Sequence, residues 1–479
     1  MIRGLSFALQ LPSVTRVNAT TQVGAAVRAA SSNNAVANNN TSAKVMFGSQ
    51  TSEISAVYSL SPKKMSTGVA QQSNPIIEGL MQSALGSASV SSMAGLGSAL
   101  LGNLKENRGD FTQALTGVST DMGASASAGA NKSAVTLSIA TKSGSTVHLT
   151  MTQQDNGIAV EVKTEGEALN DDDAAAVANL GSALSKALSG LGQQPPKLDI
   201  SGLTNFDSNR LKSVDLKTDI RNGDDSLQSL NFHADNKARS VAYQDGDYSL
   251  KMSSDMSKSA LAGSYGQQQL ALKAYDDKFD KARIAGNGDR GQMEAMKSVF
   301  RALNTTRDAE SAKVTPGQNL TLDTSGVSQL SGLNDFSLSL VQTEKSPNPL
   351  HDEEKDRFAY TASQSSEEQT RDDGSKTVKQ TARSHLSAAW HEAIDPSIPL
   401  ALNKMKSSQN YFYHLVENDE ENTTTLNYNG RGQLASVGHN EQVNNRSTVQ
   451  KYVLGKLVDQ TVTPEKYANS NVRSLLGSA

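Results

Sequence analysis

Apolar residues recur at every second position in three parts of the chain, and at every third or fourth position between them. Val135, Leu137 and Ile139 alternate with small or polar residues, the mark of a strand with one buried face. After a turn at Lys142-Ser143-Gly144-Ser145 the alternation resumes at Val147, Leu149 and Met151. Asp155-Asn156-Gly157 supplies a second turn, since Asn and Gly tolerate positive φ, and Ile158, Val160 and Val162 complete a three-stranded meander. The period then lengthens. Val177, Leu180, Leu184, Leu188 and Leu191 place one apolar stripe along a helix. Asn170 suits its N-cap, Asp171 to Asp173 complement the positive end of its dipole, and Gly190, Gly192 and Pro195-Pro196 end it. The expectation is a βββα unit in which helix 170–191 and sheet bury each other.

A second meander follows, with alternation at 214–220, 230–234, 241–243 and 248–252 and Asn, Asp and Gly turns between. Residues 267–304 carry two helical stripes, Leu272/Tyr275/Phe279/Ala282 and Met293/Met296/Phe300/Leu303, and predict a helical hairpin. A third strand-rich stretch begins at Phe336 and continues through 358–362, 378–390, 411–415, 424–428, 434–437 and 449–458. The fold class expected is α+β: antiparallel β-meanders with covering helices behind a disordered, low-complexity N-terminal leader. The boundaries expected are a Ser/Ala/Asn-rich leader over 1–75, weak helices and linker over 76–133, a β-meander region over 134–305, a linker over 306–334, and a β-rich region over 335–479. Residues 76–104 lack charge after Glu78, and they read as two amphipathic helices broken around 86–92, because Ser and Gly are too frequent for a stable membrane span.

Composition narrows the functional classes. The net charge of −4 gives no electrostatic footprint for nucleic acid, and basic residues are scattered without aromatic interleaving. With no cysteine, disulfides, thiolate metal sites and cysteine catalysis are excluded, while both the cytoplasm and export stay open. The opening Met1-Ile2-Arg3 and the apolar run to Val14, interrupted by Gln10 and Pro12, match a cleaved signal peptide poorly.

Candidate chemistry is thin. Gly286-Asn287-Gly288-Asp289-Arg290-Gly291 fits GxGxxG, which makes Gly286, Gly288 and Gly291 the cofactor-binding candidates. The motif needs a buried strand before it, yet the charged, helix-periodic Asp276–Lys281 precedes it. The competing expectation is that Gly286 ends one helix in a left-handed cap and Asp289 caps the next. His385 and His391 share a strand face with Glu392 adjacent. Six residues of strand separate them by roughly 20 Å at ~3.3 Å per residue, too far for one metal, so both are expected as solvated surface histidines. The run His351–Asp356 is expected to be a solvated loop. No GxSxG, P-loop or HExxH occurs, and no catalytic residue or metal ligand can be assigned.

Val135-Thr136-Leu137-Ser138-Ile139 and the segment Pro195–Leu203 (PPKLDISGL) resemble a group of uncharacterised, cysteine-free proteins of Gram-negative bacteria, over roughly the middle third of the chain. Some of that group carry a lactate dehydrogenase label. The resemblance therefore implies, as one reading, an NAD-dependent oxidoreductase, with the glycine run at 286–291 as its one sequence feature. The reading that the residues favour is a non-enzymatic interaction or structural protein without a cofactor, cytoplasmic or exported. It would meet a protein or glycan partner through long strands with polar outer faces.

Overall fold

The alternating segments hydrogen-bond side by side into one antiparallel sheet. The computed structural model describes residues 65–68, 74–85, 90–117, 133–154, 157–222, 226–305 and 324–475, all within the unit Pro62–Ala479. Its strands are β1 (Met65–Gly68), β2 (Phe111–Gly117), β3 (Ser133–Thr141), β4 (Ser145–Gln154), β5 (Gly157–Gly166), β6 (Leu211–Asn222), β7 (Ser226–Asp235), β8 (Ala238–Gln244), β9 (Tyr248–Asp255), β10 (Asp335–Gln342), β11 (Arg357–Thr370), β12 (Lys376–Ala393), β13 (Tyr411–Tyr428), β14 (Leu434–Val453) and β15 (Lys456–Ser474). The helices are α1 (Pro75–Leu85), α2 (Ser92–Asn107), α3 (Asp171–Asn179), α4 (Gly181–Leu191), α5 (Ser201–Thr204), α6 (Tyr265–Ala285), α7 (Arg290–Asn304) and α8 (Thr324–Val327). The sheet order is β1-β2-β5-β4-β3 followed by β6 through β15 in sequence. From β6 onward each strand pairs with the next. The first meander runs the opposite way, so the chain returns through α3, α4 and α5 to set β6 beside β3.

Register explains where the core sits. Residues directly across an antiparallel ladder point to the same face. One cross-strand row runs Phe111–Val162–Leu149–Leu137–Leu216–Phe232 and on through Val241, Met252, Leu338 and Ala362. Every one of these is apolar and buried. On β12 and β13 the same row becomes Ser384 and Glu420. The apolar face therefore extends from β2 to β11 at this level, and the helices cover it. Ile77 and Met81 of α1, Leu96, Leu100 and Leu104 of α2, and Leu184 and Leu188 of α4 are buried against its first half. Over the second half lies an aromatic cluster. Phe300 of α7 packs edge-on to Phe279 of α6 and to Phe336 of β10, both at 5.1 Å between ring centres, and Phe279 meets Tyr360 of β11 at 5.9 Å. Strands from 135–305 and from 335–474 thus belong to one sheet, joined where β9 pairs with β10 along its whole length.

Several expected elements take a different form. The helix expected over 170–191 is two, α3 and α4, separated at Leu180. Gly181 follows the break with Ser98 of α2 so near that a Cβ would lie 2.9 Å from its Oγ, so the start of α4 packs closely on α2. Asn170 does cap α3, its Oδ1 accepting from Asp173 N at 2.9 Å. β2 lies inside the expected linker over 76–133, with Phe111, Gln113 and Leu115 facing the core. β1 falls inside the expected leader, whose last residue, Pro75, opens α1; residues 1–64 and 69–73, with the possible signal peptide, lie outside the described residues. The break in 76–104 is as expected, with α1 and α2 buried on the sheet, and no described helix is long and apolar enough to cross a membrane. The strand segments at 411–415 and 424–428 are one continuous β13. The segment expected at 449–458 contains a tight turn, Leu454 at φ 51° and Gly455 at φ 76°, and the chain continues into β15.

Candidate binding surface

The face opposite the helices carries the complementary rows. From β4 the sequence of directly paired residues reads His148, Ser138, Asp215, His233, Ser240, Ser253 and Ser337, then Ser363, Arg383, Glu421 and Gln442. All are polar. The neighbouring row on β10 to β15 is Ser339, Thr361, His385, Asp419, Asn444 and Lys466. Where these two rows cross β10–β15 the surface is concave and encloses about 720 Å³.

Within this concavity several charged side chains pair across strands. Arg383 Nε donates to Glu421 Oε2 at 2.8 Å, and His385 Nδ1 lies 2.8 Å from Asp419 Oδ1. Beside it, Ser387 Oγ donates to Glu417 Oε1 at 2.6 Å and Arg357 Nη2 approaches the same oxygen at 3.4 Å. Arg383–Glu421, His385–Asp419 and Ser387–Glu417 each join β12 to β13 at one register position, the arrangement that stabilises a sheet face, while Arg357 reaches Glu417 across β12. Tyr467, at its rim, belongs to the intervening row and turns its hydroxyl toward Glu441 on the other side, at 3.5 Å. The concavity therefore offers hydrogen-bonding groups of both signs, and the exposed ring of Tyr467 at its rim is turned to the other side of the sheet.

The same side of β12 holds a second cluster beyond the concavity. His391 is buried. Its Nδ1 lies 2.7 Å from Asp356 Oδ1 and its Nε2 lies 3.0 Å from Glu354 Oε2. Tyr411 donates to the same Glu354 oxygen at 2.7 Å, and Tyr413 donates to Lys355 O at 3.1 Å. Burial works to lower the imidazole pKa, but hydrogen bonds and charge from Asp356 and Glu354 outweigh it and hold His391 above its ordinary value. Burial likewise works to raise Glu354, and hydrogen bonds from His391, Tyr411 and Tyr452 outweigh it and lower it. Both ring nitrogens face carboxylates, and these contacts pin the segment 344–356 to β12. His391 is thus not the solvated surface histidine expected from sequence, and Glu354 is not part of a solvated loop. A buried carboxylate and imidazole satisfy each other there. His385, by contrast, is on the open face as expected.

The glycine run lies between two helices. α6 precedes it where a dinucleotide fold requires a strand. Asp289 caps α7, its Oδ1 accepting from Gln292 N at 2.9 Å. The left-handed residue is Asn287 at φ 52°, not Gly286, whose φ is −103°. Asn shares the tolerance for that region and leaves Gly286 another task. A Cβ on Gly286 or Gly288 would lie 2.9 or 2.7 Å from Phe358 Cε2, so both glycines serve close packing on β11. Gly291 borders a separate cleft of about 590 Å³ beside Pro195 and Asp199. The three candidates do not gather around one cavity.

The remaining histidines pair locally: His148 with Ser138 at 2.9 Å, His233 with Asp215 at 2.6 Å, His351 with Glu353 at 3.0 Å, and His439 with Thr424 at 3.2 Å. His414 stacks on Trp390, ring centres 4.6 Å apart. Among the described residues, no three His, Asp or Glu side chains are placed to hold a metal ion. Sequence reading did not assemble Arg383, Asp419, Glu421 and Lys466, which are dispersed over three strands, β12, β13 and β15. The usable signal was parity: on β12 and β13 the odd positions are polar for many residues in succession. In comparisons with protein-family models, curated proteins and solved structures, nothing matches this chain.

Proposed function

We propose that this chain is a non-enzymatic interaction protein whose helix-free face receives a polar protein partner in the concavity across β10–β15. In this reading the α+β fold divides the labour, with helices sealing one face and leaving the other free for recognition. The observation that carries it is the concavity of about 720 Å³ floored by rows of polar side chains. Its ionic groups are distributed as cross-strand pairs, as in the polar parts of protein interfaces, rather than converging on one reacting point. The turning away of the Tyr467 ring favours a polypeptide over a glycan.

The test uses the full chain and the charge-reversed variant Arg383→Glu/Lys466→Glu, both immobilised and exposed to an extract of the native host and to a glycan array. A protein retained by the wild type and lost from an equally stable variant supports the reading. A glycan lost in the same way would replace the protein partner. Identical retention by both forms would refute the concavity as the binding surface.

A further inference from the structure

β15 is a long edge. All of its residues are exposed, and among the described residues no strand pairs with its outer side. Which of its backbone groups face outward follows from register. Leu475 N donates to Ala435 O at 2.8 Å, and Ser474 lies opposite Ser436. The directions alternate along a strand, so odd-numbered residues of β15 bond inward to β14, while even-numbered ones from Gln460 to Val472 point their N–H and C=O away. The two-residue turn at Leu454-Gly455 gives the same parity once the irregularity at Lys451/Tyr452 is counted. Pro464 is even-numbered, so the donor it lacks is an outward one. It interrupts the free ladder and leaves Lys466, Ala468, Ser470 and Val472 as an unbroken outward set.

We infer that this half of β15 is the interface to a second copy of the chain, paired antiparallel about Asn469. That centre brings Lys466 opposite Val472 of the second copy and Ala468 opposite its Ser470, and it leaves Pro464 at the outer end of the ladder, beyond the Glu465–Arg473 positions. It also sets Glu465 opposite Arg473 of the second copy, twice by symmetry, on one face of the joined sheet. Within a single chain neither Glu465 nor Arg473 has an ion-pair partner among the described residues, so this charge complementarity is unused until the strands meet. A two-fold axis normal to the sheet puts both polar faces on the same side. Ser470 and Val472 of the second copy then extend the concavity wall at Ala468 and Lys466. The inference rests on edge geometry and charge, and it holds whether or not the concavity takes a partner.

Sedimentation velocity on the full chain at rising concentration reads the association directly. A concentration-dependent dimer is expected. Ala468→Pro removes one outward donor at the centre of the ladder and leaves every bond to β14 in place, so the dimer should be lost with the melting temperature unchanged. Glu465→Arg or Arg473→Glu alone turns both symmetric contacts from attraction to repulsion and should weaken dimerisation about tenfold, and the double exchange should restore it. A monomer throughout the micromolar range would overturn the inference. So would a dimer indifferent to Ala468→Pro, or a double exchange that fails to rescue, which alone decides if the proline variant does not fold.

Discussion

Replacing Phe300 with alanine would test whether the two strand-rich halves of the chain stand or fall together. The ring is fully buried. It sits 5.1 Å from both Phe279 and Phe336 and 5.3 Å from Tyr275, and so links α7 and α6 to β10. Phe-to-Ala truncation in a packed core costs about 3–5 kcal/mol, and the rigid rings around this site leave little room for collapse, so the upper part of that range is expected. Against a typical total of roughly 5–15 kcal/mol, this is a large share.

Two probes separate the halves. Trp390, the only tryptophan, lies on β12 and reports the C-terminal half by fluorescence. Hydrogen exchange of the β3–β9 amides reports the other. If β9–β10 pairing and the aromatic cluster make one cooperative body, Phe300→Ala lowers the denaturant midpoint equally for both probes. It also cuts the slowest exchange protection by about three to three and a half powers of ten. An unmoved Trp390 transition, or a loss below about 1 kcal/mol, would refute the argument that this cluster joins the halves.

Two further outcomes are expected. The His391 cluster should give the segment 344–356 a pH window of stability. His391, raised above its ordinary 6.5, contributes fully below that pH, and its contribution fades as the pH rises through the raised value. Glu354, lowered from its ordinary 4.5, contributes fully above that pH, and its contribution is lost on acidification. Proteolysis of the segment should therefore be slowest between these limits, and His391→Gln should flatten the profile; an unchanged profile would remove the pin. Gly288→Ala forces a Cβ to within 2.7 Å of Phe358, so calorimetry should show a loss of about 1–3 kcal/mol from overpacking, whereas an unchanged melting temperature would show that the helix turn is not packed as described.

Legibility in the sequence followed burial. β3, β4 and β5 were readable because one face is apolar at every second position, and their burial alternates in the same rhythm over most of each strand. The hairpin of α6 and α7 was readable from its two stripes, although the precise cap was not. Asn287 and Gly286 can each take the last position, and packing against Phe358 decides between them. β2 was hidden because a seven-residue strand among Gly, Ser and Ala offers only Phe111 and Leu115 as apolar marks. The pin at His391 could not be read at all, because Glu354 and Asp356 reach it from a loop whose charge suggests water. Only the fold supplies the imidazole that neutralises them.

β15 presents the opposite case, a strand without a core. Its residues include Asp459, Gln460, Pro464 and Lys466, and nothing in that pattern buries a face. Its conformation is imposed by β14, which is itself held by β13, so order is passed outward from the covered part of the sheet. The chain had no need of apolar residues to form this strand, and those it retains, Leu457, Val458, Val462, Tyr467 and Val472, stay exposed. Exposed apolar groups on an edge that also carries a proline and a lysine describe a surface that is guarded rather than closed. Pro464 blocks one half of the ladder and leaves the other free, so pairing is limited to one register instead of being abolished. A sheet edge meant only to repel neighbours would gain more from a proline at Ala468, in the middle of the open half, and the chain does not place one there.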